Sequence, residues 1–494
     1  MSVIDKIIGL DIGTTNIKGE IYDVTGRLID SLSYPYSIYF DKGNIVEQNA
    51  EDWVRITIKI LNYFFEKYKN IKVVGLSTQG GTIVPVDEQI NPLRNAITWM
   101  DARAGSLKDL ILKEINEEKI YEITGWKLQS ILPLLQLCWI RQNEKHTFKN
   151  TYKYMFVNDY VQKKLCDNSF VDYSNASITM LFDIVKKDWS EELLNITRIN
   201  SSKLSQTQKS DIILGNFKNK ELSKNSINTP FSNSAHDQYC VSLSSNILNS
   251  NKILLSTGTS WAIFANTEKP YFNEFYYSPG VHIIPGKYGL ISVVPTAGSV
   301  YNWFLNNFFE NEEDRINFLK STERDYKKIL DLKDDCIFIP LFQGSFGPVW
   351  NNYTKGSFEN LSFDITRINM FKSVLEGVAF QVKWIFDSLI KIGINIDSIK
   401  MIGGATKSIL QTQIISDVTG LKVYLPVDKK LNYACRGAAM LACVSAGIYK
   451  DFKTVTNIFK EEEIVVYPRE KFKEYYLEKF NKYLKIIDNK IQLQ

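Results

Sequence analysis

Two short segments hold residues able to carry phosphoryl chemistry. In KIIGLDIGTTNIKGEIY (6–22) an apolar run ends in Asp11-Ile12-Gly13-Thr14-Thr15, and a second strand-like run follows at once. Glycine permits a tight turn that a side chain would obstruct. The backbone N–H groups and two hydroxyls of such a turn can surround a phosphate, while Asp11 projects from the strand end. A carboxylate beside a phosphate cradle makes chemical sense when a divalent cation sits between them. The same residues also fit an ordinary hairpin with Gly-Thr-Thr turn chemistry. The second segment, SAHDQYCVSLSSNI (234–247), places Asp237 where a loop enters a helix, near the positive end of its dipole. That end favours the ionised carboxylate a general base needs. Asp237 could equally stabilise the helix start, with Ser234 as N-cap.

The elements that must position these residues follow an α/β pattern, with short β-rich runs alternating with amphipathic helical stretches. A weak internal repeat recurs in order. KIIGLDIGTTNIKGEIY and IKVVGLSTQGG (71–81) in the first half correspond to KILLSTGTSWAIF (252–264) and IKMIGGATKS (399–408) in the second. Each half offers a strand, a Gly-Thr turn, a returning strand and later an Ile-Lys strand ending in a Gly turn. Two similar domains facing each other across a cleft are expected, 1–247 and 248–494, with the boundary near Asn246–Asn251. The polar stretch 201–229 reads as a surface excursion of the first domain. Apolar spacing predicts helices over 369–392 and, rich in small residues, over 433–448, and a charged amphipathic helix after Pro468 covering the surface.

Bulk composition narrows the function classes. The 494 residues carry a net charge of +4, with 44% hydrophobic and 23% charged residues, ordinary for a globular chain and too weakly basic to imply nucleic acid or an anionic membrane. Six scattered cysteines without a CxxC pair read as reduced thiols of a cytoplasmic protein. Three histidines argue against a His-ligated zinc or iron centre. The N-terminal residues lack a signal-peptide pattern, and the longest apolar stretch, 131–140, is too short to span a bilayer. No GxxxxGK[ST] or HRD…DFG motif occurs, which excludes a P-loop and a protein kinase.

The ordered set of motifs resembles the FGGY family of carbohydrate kinases over essentially the whole chain. It runs through DIGTTNIK, VEQNAEDW (46–53), GLSTQGGTIVPVDEQINPLRNAITWMDAR (75–103), FVNDY (156–160), DYSNAS (172–177), STGTS (256–260), TAGSVYNW (296–303), LEGVAF (375–380) and GGATKSILQTQIISDVTG (403–420). The resemblance implies two ribonuclease H-like domains of the actin/hexokinase type flanking a cleft, and transfer of the ATP γ-phosphoryl group to a sugar or polyol hydroxyl. It implies Asp237 as catalytic base and Thr14, Thr15 and Lys18 in the first phosphate loop, with Thr259 in the second. Gly298 and Asn302 then fall near the phosphates, Gly404 and Ser408 in the adenosine loop, and Asp11 holds Mg²⁺ through water. Gln79, Gly80, Gly81, Trp99, Asp237 and Gln238 fall on the acceptor side. Trp99 reads either as pocket wall or as a buried structural residue, Arg103 as a loop anchor, Cys240 as core, and His236 as an orienter of the base or a core residue.

Gly80-Gly81 stands where glycerol kinases carry Arg-Glu and xylulokinases Met-His, and the pair predicts a pocket wall stripped of two side chains. The His236-Asp237 pair resembles deoxysugar kinases, although the residues after it differ. A ketose such as a xylulose-like pentulose is the leading acceptor. Alternatives are an aldonate, polyol or deoxyketose, or a non-catalytic sugar-binding regulator on the same fold. A homodimer is a further implication of the family.

Overall fold

The computed structural model describes residues 4–248, 251–351 and 353–492. Asn249 and Ser250, part of the expected domain boundary, lie outside them. Two large sheets dominate. The first contains β1 (Lys6–Ile12), β2 (Asn16–Asp23), β3 (Leu28–Pro35), β4 (Ile71–Thr78), β5 (Ile213–Asn216) and β6 (Pro230–His236), in the order β5-β6-β4-β1-β2-β3. The second contains β7 (Lys252–Thr257), β8 (Trp261–Thr267), β9 (Ser278–Val281), β10 (Tyr288–Val294), β11 (Ser398–Gly403), β12 (Lys422–Pro426) and β13 (Glu463–Val466), ordered β9-β10-β8-β7-β11-β12-β13.

The sequence repeat becomes a topological one. β3-β2-β1 and β10-β8-β7 are antiparallel, and β4-β6 and β11-β12 continue each sheet in parallel with its first strand. A third sheet is interleaved between β3 and β5 on both sides of β4 in the chain, built from Ile38–Asp41, Ile45–Gln48, Ala96–Ile97, Ile83–Val86 and Lys153–Phe156. The stretch 201–229 is more than a surface excursion, because its residues Ile213–Asn216 form β5, an edge strand of the first sheet paired with β6.

Helices bury the sheet faces. α1 (Ala50–Lys67), capped by Asn49, inserts Trp53, Ile60, Leu61 and Phe64 beneath the first sheet. α2 (Asp237–Ser244) continues directly from β6. In the second half α3 (Ala297–Asn307), α5 (Arg367–Lys391) and α6 (Ile409–Thr419) build the core beside the second sheet, and α4 (Glu312–Arg324) lies outside against α6. α7 (Tyr433–Ser445) is the small-residue helix, and it lies against the first sheet, not the second. A Cβ on Gly9 of β1 would sit 1.9 Å from the Cys435 carbonyl oxygen, one on Gly75 of β4 2.0 Å from that of Ala438. One on Gly437 would sit 2.1 Å from that of Cys240 in α2. Bare backbone contact at these three points lets α7 tie the two halves together. α8 (Lys473–Gln492) covers the second core with Tyr476, Phe480, Tyr483 and Ile487 buried. Among the described residues no helix is long and apolar enough to cross a membrane.

Candidate active site

The parallel strands β1, β4 and β6 end side by side, with Asp11 opposite Ser77 and His236 opposite Thr78. Their carboxyl ends therefore deliver Asp11–Gly13, Gln79–Gly81 and Asp237 to one sheet edge, where open α/β sheets bind ligands. In the second sheet Thr257 pairs with Gly403, which brings the 256–260 and 403–408 turns together. A cavity of about 290 Å³ lies where both edges meet, lined by Asp11, Lys18, Ser256, Gly403, Thr406 and Asn432.

The two Gly-Thr turns are built alike. Gly13 N–H donates to the Asn16 carbonyl at 3.1 Å, and Gly258 N–H to that of Ser260 at 3.2 Å. Asp11 in the first turn corresponds to Ser256 in the second, so one carboxylate and one hydroxyl face the shared cavity. The first turn does not itself demand glycine: Gly13 is not in the left-handed region, and a Cβ there would meet Asn16 O at 3.4 Å and Asp11 Oδ2 at 3.8 Å. Its bareness keeps the space beside the carboxylate open. Thr14 Oγ1 accepts from Trp99 Nε1 at 3.0 Å, and Thr15, at the exposed tip, accepts from Asn16 Nδ2 at 2.9 Å. Trp99 is 37% exposed, so it is not a buried structural residue. Tyr36 OH donates to the Gly13 carbonyl at 2.5 Å and Gln48 Nε2 to that of Thr14 at 2.8 Å, bracing the loop from below.

In the second turn the Thr259 carbonyl accepts the Gly298 and Ser299 N–H groups at 2.9 and 3.0 Å, seating the exposed loop on the start of α3. A Cβ on Gly298 would lie 2.1 Å from Gly258 O, so this glycine is required by the packing of the loop. Asn302 is exposed further along α3. Gly403, at φ +90°, approaches Thr257 O so closely that a Cβ would meet it at 2.2 Å, and Gly404 follows it at the exposed surface. Thr257 Oγ1 fixes both loops, donating to the Ile402 carbonyl at 2.6 Å and accepting from Ala405 N–H at 3.1 Å. Ser408 is committed elsewhere: its hydroxyl caps α6 through Gln411 N–H at 3.1 Å and donates to Glu323 at 2.5 Å.

Asp11 is 7% exposed and accepts a hydrogen bond from Ser77 Oγ at 3.0 Å. Burial, then the charge of Asp237, raise its carboxyl to about 7, while Lys18 across the hairpin and Ser77 oppose the shift. The negative charge of Asp237 acts on Asp11, and among the described residues Asp11 enters no ion pair. That arrangement fits a bound Mg²⁺. Among the described residues no group of three His, Cys, Asp or Glu could hold a metal alone, so the remaining ligands would be phosphate oxygens and water.

Asp237 opens α2 with its side chain 29% exposed. The N-cap is His236, in extended backbone, so β6 passes into α2 without the expected loop. Ser234 is not the cap, because it lies inside β6 and donates to Asp172 Oδ2 at 2.7 Å. Buried Asp172 also accepts from Asn175 Nδ2 at 2.6 Å and from Ser174 Oγ, forming a polar pin beneath the strand end. The Gly80-Gly81 pair does not open the pocket as expected. A Cβ on Gly80 would fall 2.5 Å from His236 Cδ2 and 2.6 Å from Ile178 Cγ2, so the space is already filled. Gly81 is required by its backbone, at φ +69°. Arg103 is the loop anchor expected of it, paired with buried Asp101 at 2.7 Å and Glu47 at 2.7 Å. Sequence reasoning gave no individual role to Tyr36, Gln48, Asp172, Thr257, Thr406 or Asn432, although Gln48, Asp172, Thr257 and Thr406 lie inside the quoted motifs. Asn432 left a signal as a helix-capping residue directly before the small-residue run.

Comparison with known proteins settles the class. The FGGY family of carbohydrate kinases matches with its N-terminal domain over residues 6–244 and with its C-terminal domain over 253–446. This chain belongs to the FGGY family. Among relatives, the xylulose kinase of Staphylococcus xylosus is 27% identical over 489 residues, covering 98% of this chain and 99% of that one. The gluconokinase of Bacillus subtilis is 26% identical over 467 residues, covering 92% and 90%. The crystal structure of gluconate kinase from Lactobacillus acidophilus superposes with a TM-score of 0.90 at 23% identity, covering 98% of both chains. The fold is thus the two-domain FGGY kinase fold, actin/hexokinase-like. The protein is an ATP- and Mg²⁺-dependent phosphotransferase with an alcohol group as acceptor, a sugar or polyol kinase.

Proposed function

We propose that this FGGY kinase phosphorylates a neutral ketose of the xylulose type, with Asp237 as base, residues 1–247 supplying the acceptor site and the first phosphate loop, and 248–494 binding the nucleotide. The observation that carries the reading is a set of orphaned polar atoms around Asp237. Gln79 Oε1 and Gln238 Oε1 are buried without a partner among the described residues. Buried polar groups are rarely left unpaired, and a ligand rich in hydroxyls would satisfy them. The acceptor-side groups Gln79, Gly80, Gly81, Trp99 and Gln238 are uncharged, and Arg103 is occupied by Asp101 and Glu47. An aldonate carboxylate would find no free partner in that set, which favours a ketose. The gluconokinase relative keeps the aldonate as the second reading.

In the reaction the acceptor hydroxyl loses its proton to Asp237 as its oxygen bonds the γ-phosphorus and the bond from that phosphorus to ADP breaks. Bound Mg²⁺ neutralises charge on the phosphate oxygens. Asp11 would hold that ion through water, and Lys18 and the two Gly-Thr turns would hold the phosphates. Six free, buried cysteines fit a reducing, cytoplasmic setting. ADP release measured over ketoses, polyols and aldonates tests the acceptor: the highest kcat/KM is expected for a ketopentose. Preference for glycerol over every ketose and aldonate would refute the assignment.

A further inference from the structure

His236 is buried against the base and has no part in the chemistry above. Its Nε2 lies 3.4 Å from Asp237 Oδ1. The same ring edge faces Gly80, where a Cβ would fall 2.5 Å from Cδ2 and 2.9 Å from Nε2. Glycine at position 80 is therefore what lets an imidazole stand beside the base. The main chain is pinned as well: His236 N–H donates to Ser174 Oγ at 2.9 Å, and that hydroxyl donates to Asp172. The Tyr239 ring stands edge-on to the imidazole, with centroids 5.9 Å apart. Nδ1, on the ring edge away from Gly80, is buried without a partner among the described residues. Beside the ring is a cavity of about 10 Å³, bordered by Ser174, Ser177, Tyr239 and Ser278, and this is room for one water.

The tautomer follows from these contacts. With the proton on Nδ1, the bare lone pair of Nε2 would face a carboxylate oxygen, setting two acceptors against each other. With the proton on Nε2, the ring donates to Asp237 Oδ1, and Nδ1 accepts from a water in the small cavity. We propose that His236 is a positioning residue: through its Nε2–H it holds Asp237 Oδ1 and turns Oδ2 toward the acceptor hydroxyl. The imidazole gains and loses no proton in the reaction, because the hydroxyl proton goes to Oδ2. The proposal rests on Asp237 being the base and adds a fixed orientation to it.

Two measurements test it. Glutamine can place its amide N–H near the position of Nε2, whereas asparagine reaches only the position of Nδ1. His236→Asn is expected to lower kcat by about 10- to 100-fold through misorientation of the base. KM for ATP and acceptor should stay within about twofold, and His236→Gln should recover most of the loss. Equal losses in both variants, or losses expressed mainly in KM, would overturn the proposal. The second measurement needs no acceptor. With three histidines in the chain, imidazole ¹⁵N spectra of the unliganded enzyme should show His236 as the Nε2–H tautomer at mildly alkaline pH. Asp237→Asn should shift its Nε2 resonance. An Nδ1–H tautomer, or no response to Asp237→Asn, would overturn the proposal even if the acceptor were misassigned. A wrong acceptor alone would leave the spectra as predicted.

Discussion

Gly75→Ala tests whether α7 is seated by bare backbone contact. The added Cβ would lie 2.0 Å from the Ala438 carbonyl oxygen and 3.0 Å from Ala442 Cβ. Ordinary contact begins at 3.4 Å, so 3.4 − 2.0 leaves 1.4 Å that the helix or strand must yield. Neither partner is the free end of a side chain. The same helix touches Gly9 and, through Gly437, the Cys240 carbonyl, so it cannot retreat at one point alone. Overpacking of this kind costs about 1–3 kcal/mol. The cap of α7, Asn432, also stands on the wall of the 290 Å³ cavity proposed to take ATP. Displacement should therefore raise KM for ATP several-fold while changing acceptor KM less. Urea unfolding and steady-state kinetics of Gly75→Ala, beside Gly105→Ala as control, measure both effects. A Cβ on Gly105 meets nothing nearer than 3.9 Å. If Gly75→Ala matched the control in midpoint and in KM for ATP, the close-contact account of α7 would be wrong.

Further outcomes follow from single groups. Glu376, 1% exposed, lies between Lys372 and Lys479, the latter at 2.7 Å. Glu376→Gln leaves buried Lys372 facing a neutral amide, while Lys479 keeps Asp334 at 3.1 Å, and should destabilise the protein by about 3 kcal/mol in denaturant titration. Buried Glu20, which accepts from Tyr22 OH, is raised from 4.5 to about 7, chiefly by burial. The folded chain then holds a proton the unfolded chain has released, so stability falls as pH rises between those values. Glu20→Gln should recover up to about 3 kcal/mol above neutrality and little near pH 4, read from melting against pH. Trp99→Phe removes the donor to Thr14 Oγ1. A loss of about 1 kcal/mol should raise KM for ATP roughly fivefold, and an unchanged KM would remove Trp99 from the phosphate loop's support.

The parts of this enzyme that were legible in its sequence are those written in local chain order. The Asp11–Thr15 turn, its counterpart at 256–260 and the glycines at 403–404 each lie between runs whose alternation marks a strand. Their repeat foretold two sheets of one topology. Helices at 367–391 and 433–445 showed through apolar spacing and small-residue content. What stayed hidden depends on distant partners. The docking of α7 on the first sheet is set by Gly9, Gly75 and Gly437, each ordinary in its own segment. Gly80 suggested room for substrate because the imidazole filling that room is more than 150 positions away in the chain, at 236. Ser408 read as a ligand contact, yet Glu323 on another helix engages it. Asp172 gave no sign that it organises the strand carrying Asp237.

The central claim is that Asp237 removes the proton from a sugar hydroxyl while the two Gly-Thr turns hold ATP. The most direct test is acceptor-stimulated ADP release by Asp237→Asn, with ATP binding followed in parallel. Turnover is expected to fall by about a hundred- to ten-thousand-fold while ATP binding is largely retained. Near-normal turnover by that variant would contradict the assignment of the base, and with it the account of the cleft.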